Sequence, residues 1–269
     1  MDKIIKQLMI NKYDKTTKVK RDEVISLLDE IRYVIFLDFF EDISSNKEEY
    51  ITMKLLSIKD KLTKQLLKLG YIEITEIVNS FLTSLPDVKH KLETDVEAFI
   101  ESDPAATSPE EIILSYPGLY SISVHRIAHE LYKLGIKQIP RIMAEYAHNR
   151  TGIDINPGAE IGNYFFIDHG TGVVIGETTN IGNHVKIYQG VTLGAISIND
   201  ASKLKGVKRH PTIKDNVTIY SGACILGGDT IINENVTIGS NTFITKSIEP
   251  NKLVIFANTE YIEKDKFKK

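Results

Sequence analysis

From residue 153 onward the chain carries an apolar residue at every sixth position, and few backbones can use such a rhythm. Ile155, Ile161, Ile167 and Val173 are six apart; after a two-residue shift, Ile175, Ile181, Ile187 and Leu193 repeat the spacing. Ile213, Ile219 and Ile225 resume it beyond a gap, and Ile232, Ile238 and Ile244 follow after one more residue. An amphipathic helix needs apolar residues three and four apart, and a half-buried strand needs them two apart. A unit of six predicts a parallel β-helix, in which three short strands make a triangular coil and each apolar residue stacks inward on its equivalent one coil away. Small or β-branched residues follow four positions on in many coils: Ala159, Thr179, Val185, Val191, Val217 and Ala223. Glycines in the Ile-Gly pairs at 161–162, 181–182 and 238–239 suit tight corners. The stretch GAISINDASKLKGVKRHP, 194–211, breaks the repeat between regular coils and is expected to loop outward, where function tends to concentrate.

Before residue 150 the period is helical. Apolar residues recur three and four apart from Asp22 to about Phe40 and from Tyr50 to about Leu69, with Leu55, Leu56, Leu62, Leu66 and Leu69 expected on one stripe. In TSPEEI, Ser108 can cap a helix, Pro109 takes its first position, and Glu111 completes a capping box. Gly118 is expected to mark a break, SISVHRIAHELYKLG to run as a helix to Gly135, and IPRIMAEYAHNR to form a last one. The fold class expected is α+β: an α-helical domain over 1–150, a parallel β-helix over 151–248 with the extruded loop 194–211, and a C-terminal tail over 249–269.

Composition narrows the function classes. Among 269 residues, 33 Lys and Arg stand against 36 Asp and Glu for a net charge of −3, so no basic field points to nucleic acid or an anionic membrane. The single cysteine, Cys224, excludes an internal disulfide framework, fits a reducing cytosol and is expected as a small buried filler. MDKIIKQLMINKYDK lacks the apolar length and cleavage site of a signal peptide. The most apolar window, VISLLDEIRYVIFLDFF, is broken by Asp29, Glu30, Arg32 and Asp38. A soluble cytoplasmic protein is expected.

Several motifs together carry a resemblance. SDPAA, YPGLYSISVHRIAHELYK, RTGIDINPGAEIG, IDHGTGVVIGET, YQGVTLGA and KRHPTI occur in that order between about Asp103 and Thr245, behind a helical region. In these residues the chain resembles the serine O-acetyltransferases, hexapeptide-repeat enzymes that make O-acetylserine from L-serine and acetyl-CoA for cysteine biosynthesis. The resemblance implies a left-handed β-helix and a homotrimer with active sites between subunits, its helical domains often pairing two trimers. It implies His169 as general base and Asp154 as the carboxylate paired with it. Chemistry agrees, because a serine hydroxyl is a weak nucleophile near neutral pH and histidine, with an ordinary pKa near ~6.5, is the natural base. The resemblance also places Asp103 and Asp168 near the substrate ammonium, and Arg209 and His210 around its carboxylate, where the arginine fork can bind with two hydrogen bonds. Gly194, Ala195, Gly222 and Ala223 match the track of the coenzyme A arm.

Some positions depart from the pattern: Asn156 stands where the family has histidine before the proline, GAIS replaces a GGTG-like segment, and the following loop is longer. FANTEYIEKDKFKK lacks the GVPA-like segment and the terminal isoleucine that docks O-acetylserine sulfhydrylase, so that complex is not expected. Asp154 could instead bond backbone amides, and Asp103, before Pro104, could start a turn. His125 and His129 have the i, i+4 spacing of zinc ligands but no HExxH carboxylate and no third ligand, so helix packing is expected and no metal. GDTIINENVTIGS lacks the GK[ST] ending of a phosphate loop. Competing readings are a hexapeptide acyltransferase with another acceptor or acyl donor, a γ-type carbonic anhydrase with zinc on His169, His184 and His210, and a non-catalytic scaffold.

Overall fold

The computed structural model describes residues 1–10, 18–41, 46–196 and 206–257. Its helices are α1 (Asp2–Met9), α2 (Arg21–Ile35), α3 (Leu37–Phe40), α4 (Lys47–Leu69), α5 (Ile74–Ser102), α6 (Pro109–Ser115), α7 (Pro117–Lys133) and α8 (Gln138–Thr151). None among the described residues is long and apolar enough to cross a membrane. Strands of two or three residues follow. Face A stacks β1 (Asp154–Ile155), β4 (Val174–Ile175), β7 (Thr192–Gly194), β10 (Cys224–Leu226) and β13 (Phe243–Ile244). Face B stacks β2 (Glu160–Ile161), β5 (Asn180–Ile181), β8 (Thr212–Ile213) and β11 (Ile231–Ile232). Face C stacks β3 (Phe166–Ile167), β6 (Lys186–Ile187), β9 (Thr218–Ile219), β12 (Thr237–Ile238) and β14 (Leu253–Val254). Each pairs in parallel with the strand one coil away, the topology of a parallel β-helix.

The hexapeptide rhythm maps onto this prism. Its isoleucines and leucines form the inward strand positions, each with at most 8% of its surface exposed. Ala159, Thr179, Val185, Val191, Val217 and Ala223 fill the corners from inside, fully buried. Val173 is one of these corner residues and not a strand position, because register pairs Ile155 with Ile175 and Ile175 with Leu193. The first coil is thus two residues longer than the second, and the extra chain lies between Ile167 and Val173. Register joins Ile181 to Ile213, which places the 194–211 insertion outside the coil; residues 197–205 lie outside those described.

Several expectations need correction. Cys224 is half-buried on the outer side of face A, because Ile225 takes the inward position and neighbours in a strand alternate. The solenoid does not stop at residue 248: Ile248 bridges Ile232, and Leu253–Val254 extends face C. Leu56 is 62% exposed; the α4 stripe runs through Ile58, Leu62 and Leu66. The break expected at Gly118 falls at Tyr116, between α6 and α7, and leaves Gly118 itself inside a helix. This glycine lies in the first turn of α7, where a Cβ would come within 2.3 Å of the Ile167 carbonyl oxygen, so it lets the helix touch face C. At α6 the Ser108 half of the capping box forms, its Oγ accepting from Glu111 N at 3.1 Å, while the Glu111 carboxylate turns back one residue further, to Thr107 N at 2.8 Å.

One buried ion pair joins helices to solenoid. Arg126 of α7 donates through Nη2 to Asp95 Oδ1 of α5 at 2.7 Å and to the Gly162 carbonyl at 2.8 Å. Asp95 Oδ1 also accepts from Phe165 N at 2.9 Å. Removing one partner would leave the other charged and unpaired in a dry seam. Asp95→Ala is expected to cost about 3–5 kcal/mol in urea unfolding, and a change within the scatter of surface substitutions would contradict this role.

Candidate active site

The two extra residues of the first coil make the corner between faces C and A unlike any other. Regular coils turn here on a ladder of left-handed residues, Gly152, Gly172, Gly190, Gly222 and Asn241. His169 (φ 56) and Gly170 (φ 80) are additional to it, and Gly170 N bonds back to the Asp168 carbonyl. A non-glycine residue forced into this region costs on the order of 1–3 kcal/mol, and such strain gathers at functional sites. The turn throws the His169 side chain outward, 69% exposed, with Nδ1 3.5 Å from Asp168 Oδ1. Asp154 sits on the outer side of β1 beside Val174, and no hydrogen bond or ion pair joins it to His169.

Helical residues complete this corner. Asp103 follows α5, and its Oδ1 accepts from Ala105 N at 2.8 Å, so the turn expected before Pro104 does form. Its Oδ2 accepts from the Tyr116 hydroxyl at 2.8 Å. That bond, with burial and the charges of Asp103, Glu111 and Asp168, pushes the Tyr116 phenol up to about 12. Tyr188 is also raised, chiefly by burial, with Tyr220, Asp168 and Asp103 adding to it. Asp103 and Asp168 thus share one field around Tyr116 and Tyr188, with His169 next to Asp168, a setting suited to an ammonium group. Phe99 contacts Tyr116 and Phe166 edge-on, Phe166 meets Tyr188, and Tyr188 stacks on Tyr220 at 5.1 Å, so an aromatic chain ties α5 to face C behind the corner.

Arg209 and His210 occupy a different corner, between faces A and B. Arg209 pairs with Glu177, whose other oxygen accepts from Tyr132 of α7 at 2.8 Å. Glu177 is held below its ordinary value, first by the Arg209 bond. His210 packs over Gly176 and is bonded by Thr178, and burial with the Arg209 charge lowers it to about 4. In one chain Asp103, Asp168 and His169 lie at one end of face A, and Arg209 and His210 at the other. Gly194 ends β7 and Ala195 follows it toward the second corner; Gly222 is exposed at the first corner. The Ala223 side chain points into the prism, which leaves only its backbone for a ligand.

Comparisons with known proteins match this architecture. No family model matches the sequence. The chain is 49% identical over 183 residues to the plasmid serine acetyltransferase of Synechococcus elongatus, covering 67% of this chain and 57% of that protein. With the serine acetyltransferase of Staphylococcus xylosus it shares 45% identity over 175 residues, covering 65% of this chain and 78% of the relative. The crystal structure of serine acetyltransferase isoform 3 from Entamoeba histolytica, in complex with cysteine, superposes with a TM-score of 0.80 at 35% identity, over 97% of this chain and 92% of that one. The chain belongs to the serine acetyltransferase family.

In this family member three further histidines, His125, His129 and His184, are held by packing. His129 Nδ1 bonds the Pro157 carbonyl at 2.8 Å, and His125 is buried beside it; together they clasp the first solenoid corner. No group of three or more His, Cys, Asp or Glu that could hold a metal exists among the described residues; His184 stacks on Tyr164 at a third corner, away from His169 and His210. Sequence reasoning missed Tyr116, Glu177, Thr178, Tyr188 and Tyr220. For the last two a signal existed, since each directly follows an inward isoleucine of face C, as Asp168 does.

Burial is the first cause lowering His125, His129 and His210, so each stays neutral in the folded chain where the unfolded chain binds a proton. The stability they contribute is complete above the ordinary imidazole value of about 6.5 and is lost as pH falls toward the folded values. Urea midpoints should therefore drop between about pH 7.5 and about pH 5, and less steeply in His129→Gln. Equal slopes in both proteins would contradict the assignment.

Proposed function

We propose that the chain transfers the acetyl group of acetyl-CoA to the hydroxyl of L-serine, giving O-acetylserine for cysteine synthesis in the cytoplasm. The observation that carries this is the extra turn at residues 168–170, which presents an exposed imidazole beside the Asp168 carboxylate. His169 takes the hydroxyl proton as the serine oxygen attacks the thioester carbonyl carbon. The tetrahedral intermediate collapses, the carbon–sulfur bond breaks, and the proton passes from the imidazolium to the leaving thiolate. Asp168 and Asp103 attract the serine ammonium, with Tyr116 holding the second carboxylate by its hydroxyl. Asp154 stands as the partner of His169 on sequence resemblance, while geometry gives the nearer carboxylate to Asp168. No acyl-enzyme and no metal enter, and Cys224 takes no part.

Serine bears its amino, carboxyl and hydroxyl groups on neighbouring carbons, so the residues that bind them must converge. One chain keeps Arg209 and His210 at a different corner from His169. A homotrimer of left-handed coils resolves this by setting the A/B corner of one subunit against the C/A corner of its neighbour. The pantetheine arm would then run in the same cleft along Gly194, Ala195, Gly222 and the Ala223 backbone. The helices over 1–150 act in assembly and supply Asp103, and two trimers can pair through them.

Thiol release from acetyl-CoA with L-serine, homoserine, threonine or no acceptor tests the reaction; release independent of serine would remove it. His169→Ala should lower kcat by at least ~10²-fold while coenzyme A binding persists, and near-normal turnover would overturn its role.

A further inference from the structure

Among the groups at the A/B corner, Thr178 makes more directed bonds than its exposure or position suggests. His210 lies with its ring over Gly176, where a Cβ would come within 2.2 Å of Nε2. Its Nδ1 is 3.0 Å from the backbone nitrogen of Thr178 and 2.9 Å from Thr178 Oγ1. A backbone N–H only donates, so Nδ1 accepts and carries no proton. The hydroxyl gives the same answer. Thr178 Oγ1 accepts from Arg209 N at 2.9 Å and from His210 N at 3.1 Å, which occupies both lone pairs and leaves its own proton for Nδ1. A neutral imidazole with a bare Nδ1 has its proton on Nε2. Among the described residues Nε2 has no hydrogen-bond partner, and it is not sealed from the surface.

We propose that Thr178 is a positioning residue that sets the backbone of Arg209 and His210 together and locks His210 as a neutral imidazole, offering Nε2–H as a fixed donor to the carboxylate of the acyl acceptor. The inference rests on the acceptor role given to Arg209 and His210 above. The charged groups around the ring are Glu177, Lys208 and Arg209. Lys208 reaches the Thr178 and Pro211 carbonyls, and Arg209 is paired with Glu177, so two cations and one anion face the ring and disfavour a third positive charge. Burial acts in the same direction. The two site histidines then divide the uses of imidazole: His169 exchanges a proton in each turnover, and His210 keeps its own. The acceptor carboxylate meets one cation, Arg209, and one neutral donor.

Two measurements test this. Nitrogen NMR of the full-length protein with labelled histidines reports the tautomer directly, and the His210 signals among the seven histidines are those lost in His210→Gln. The expected result is a bare Nδ1 and a protonated Nε2 from about pH 8 to about pH 5.5, across the ordinary imidazole range. An Nδ1–H tautomer, or protonation of both nitrogens near pH 6.5, overturns the proposal. In kinetics, Thr178→Val should raise the KM for L-serine roughly tenfold, the scale of the lost bonds, with the KM for acetyl-CoA unchanged, and Thr178→Ser should restore it. A rise in both KM values, in neither, or without rescue by serine contradicts positioning of the acceptor residues. If the wild-type protein shows no serine-dependent turnover, the reaction proposed above fails, and the NMR result still decides the tautomer.

Discussion

The parallel hydrogen-bond ladder between coils is the constraint on which the rest of the molecule depends. Each two-residue strand is too short to hold itself, and it acquires a fixed position only by pairing with strands above and below it. Because the isoleucine of each strand is buried on its equivalent, register cannot slip by one residue without turning the apolar set outward. Irregularities are therefore forced to the corners. There are two that matter, the extra turn at 168–170 and the insertion after β7, and each carries part of the candidate site.

Helices contribute by closing on this fixed edge. Gly118 lets α7 reach the Ile167 carbonyl, one residue before Asp168, and Arg126 and Asp95 bind the solenoid backbone a short way along. Asp103 is thereby brought to the C/A corner on a chain segment anchored at both ends, by α5 and by the capped α6. The second corner is organised by polar bonds instead: Tyr132 to Glu177, Glu177 to Arg209, and Thr178 to both Arg209 and His210. Stability of the fold and geometry of the site are thus set by the same contacts.

How much of this the sequence disclosed follows from which interactions are periodic. Inward isoleucines and corner residues were legible because six-residue repetition is a property of the chain alone, and so was the interruption at 194–211. The displacement at Val173 was visible as a two-residue shift, but its meaning, an added turn bearing His169, needed the register of Ile155 on Ile175. Cys224 was misplaced although the parity of Ile225 already decided it. Tyr116, Thr178 and Glu177 act through hydrogen bonds to residues 13 to 45 positions away, and no local pattern marks such partners. Motif resemblance supplied His169, Asp103 and Arg209, and the intersubunit site it implies agrees with one chain holding Arg209 at a different corner from the other two.

That separation is the central claim, and subunit complementation tests it most directly. Co-expressed His169→Ala and Arg209→Ala chains should assemble hybrid oligomers in which one interface joins an intact His169 to an intact Arg209. The account predicts serine-dependent acetyl transfer with a wild-type KM for L-serine in the hybrids and in neither parent. Hybrids that show only the properties of the two parents would mean that each chain builds its site alone.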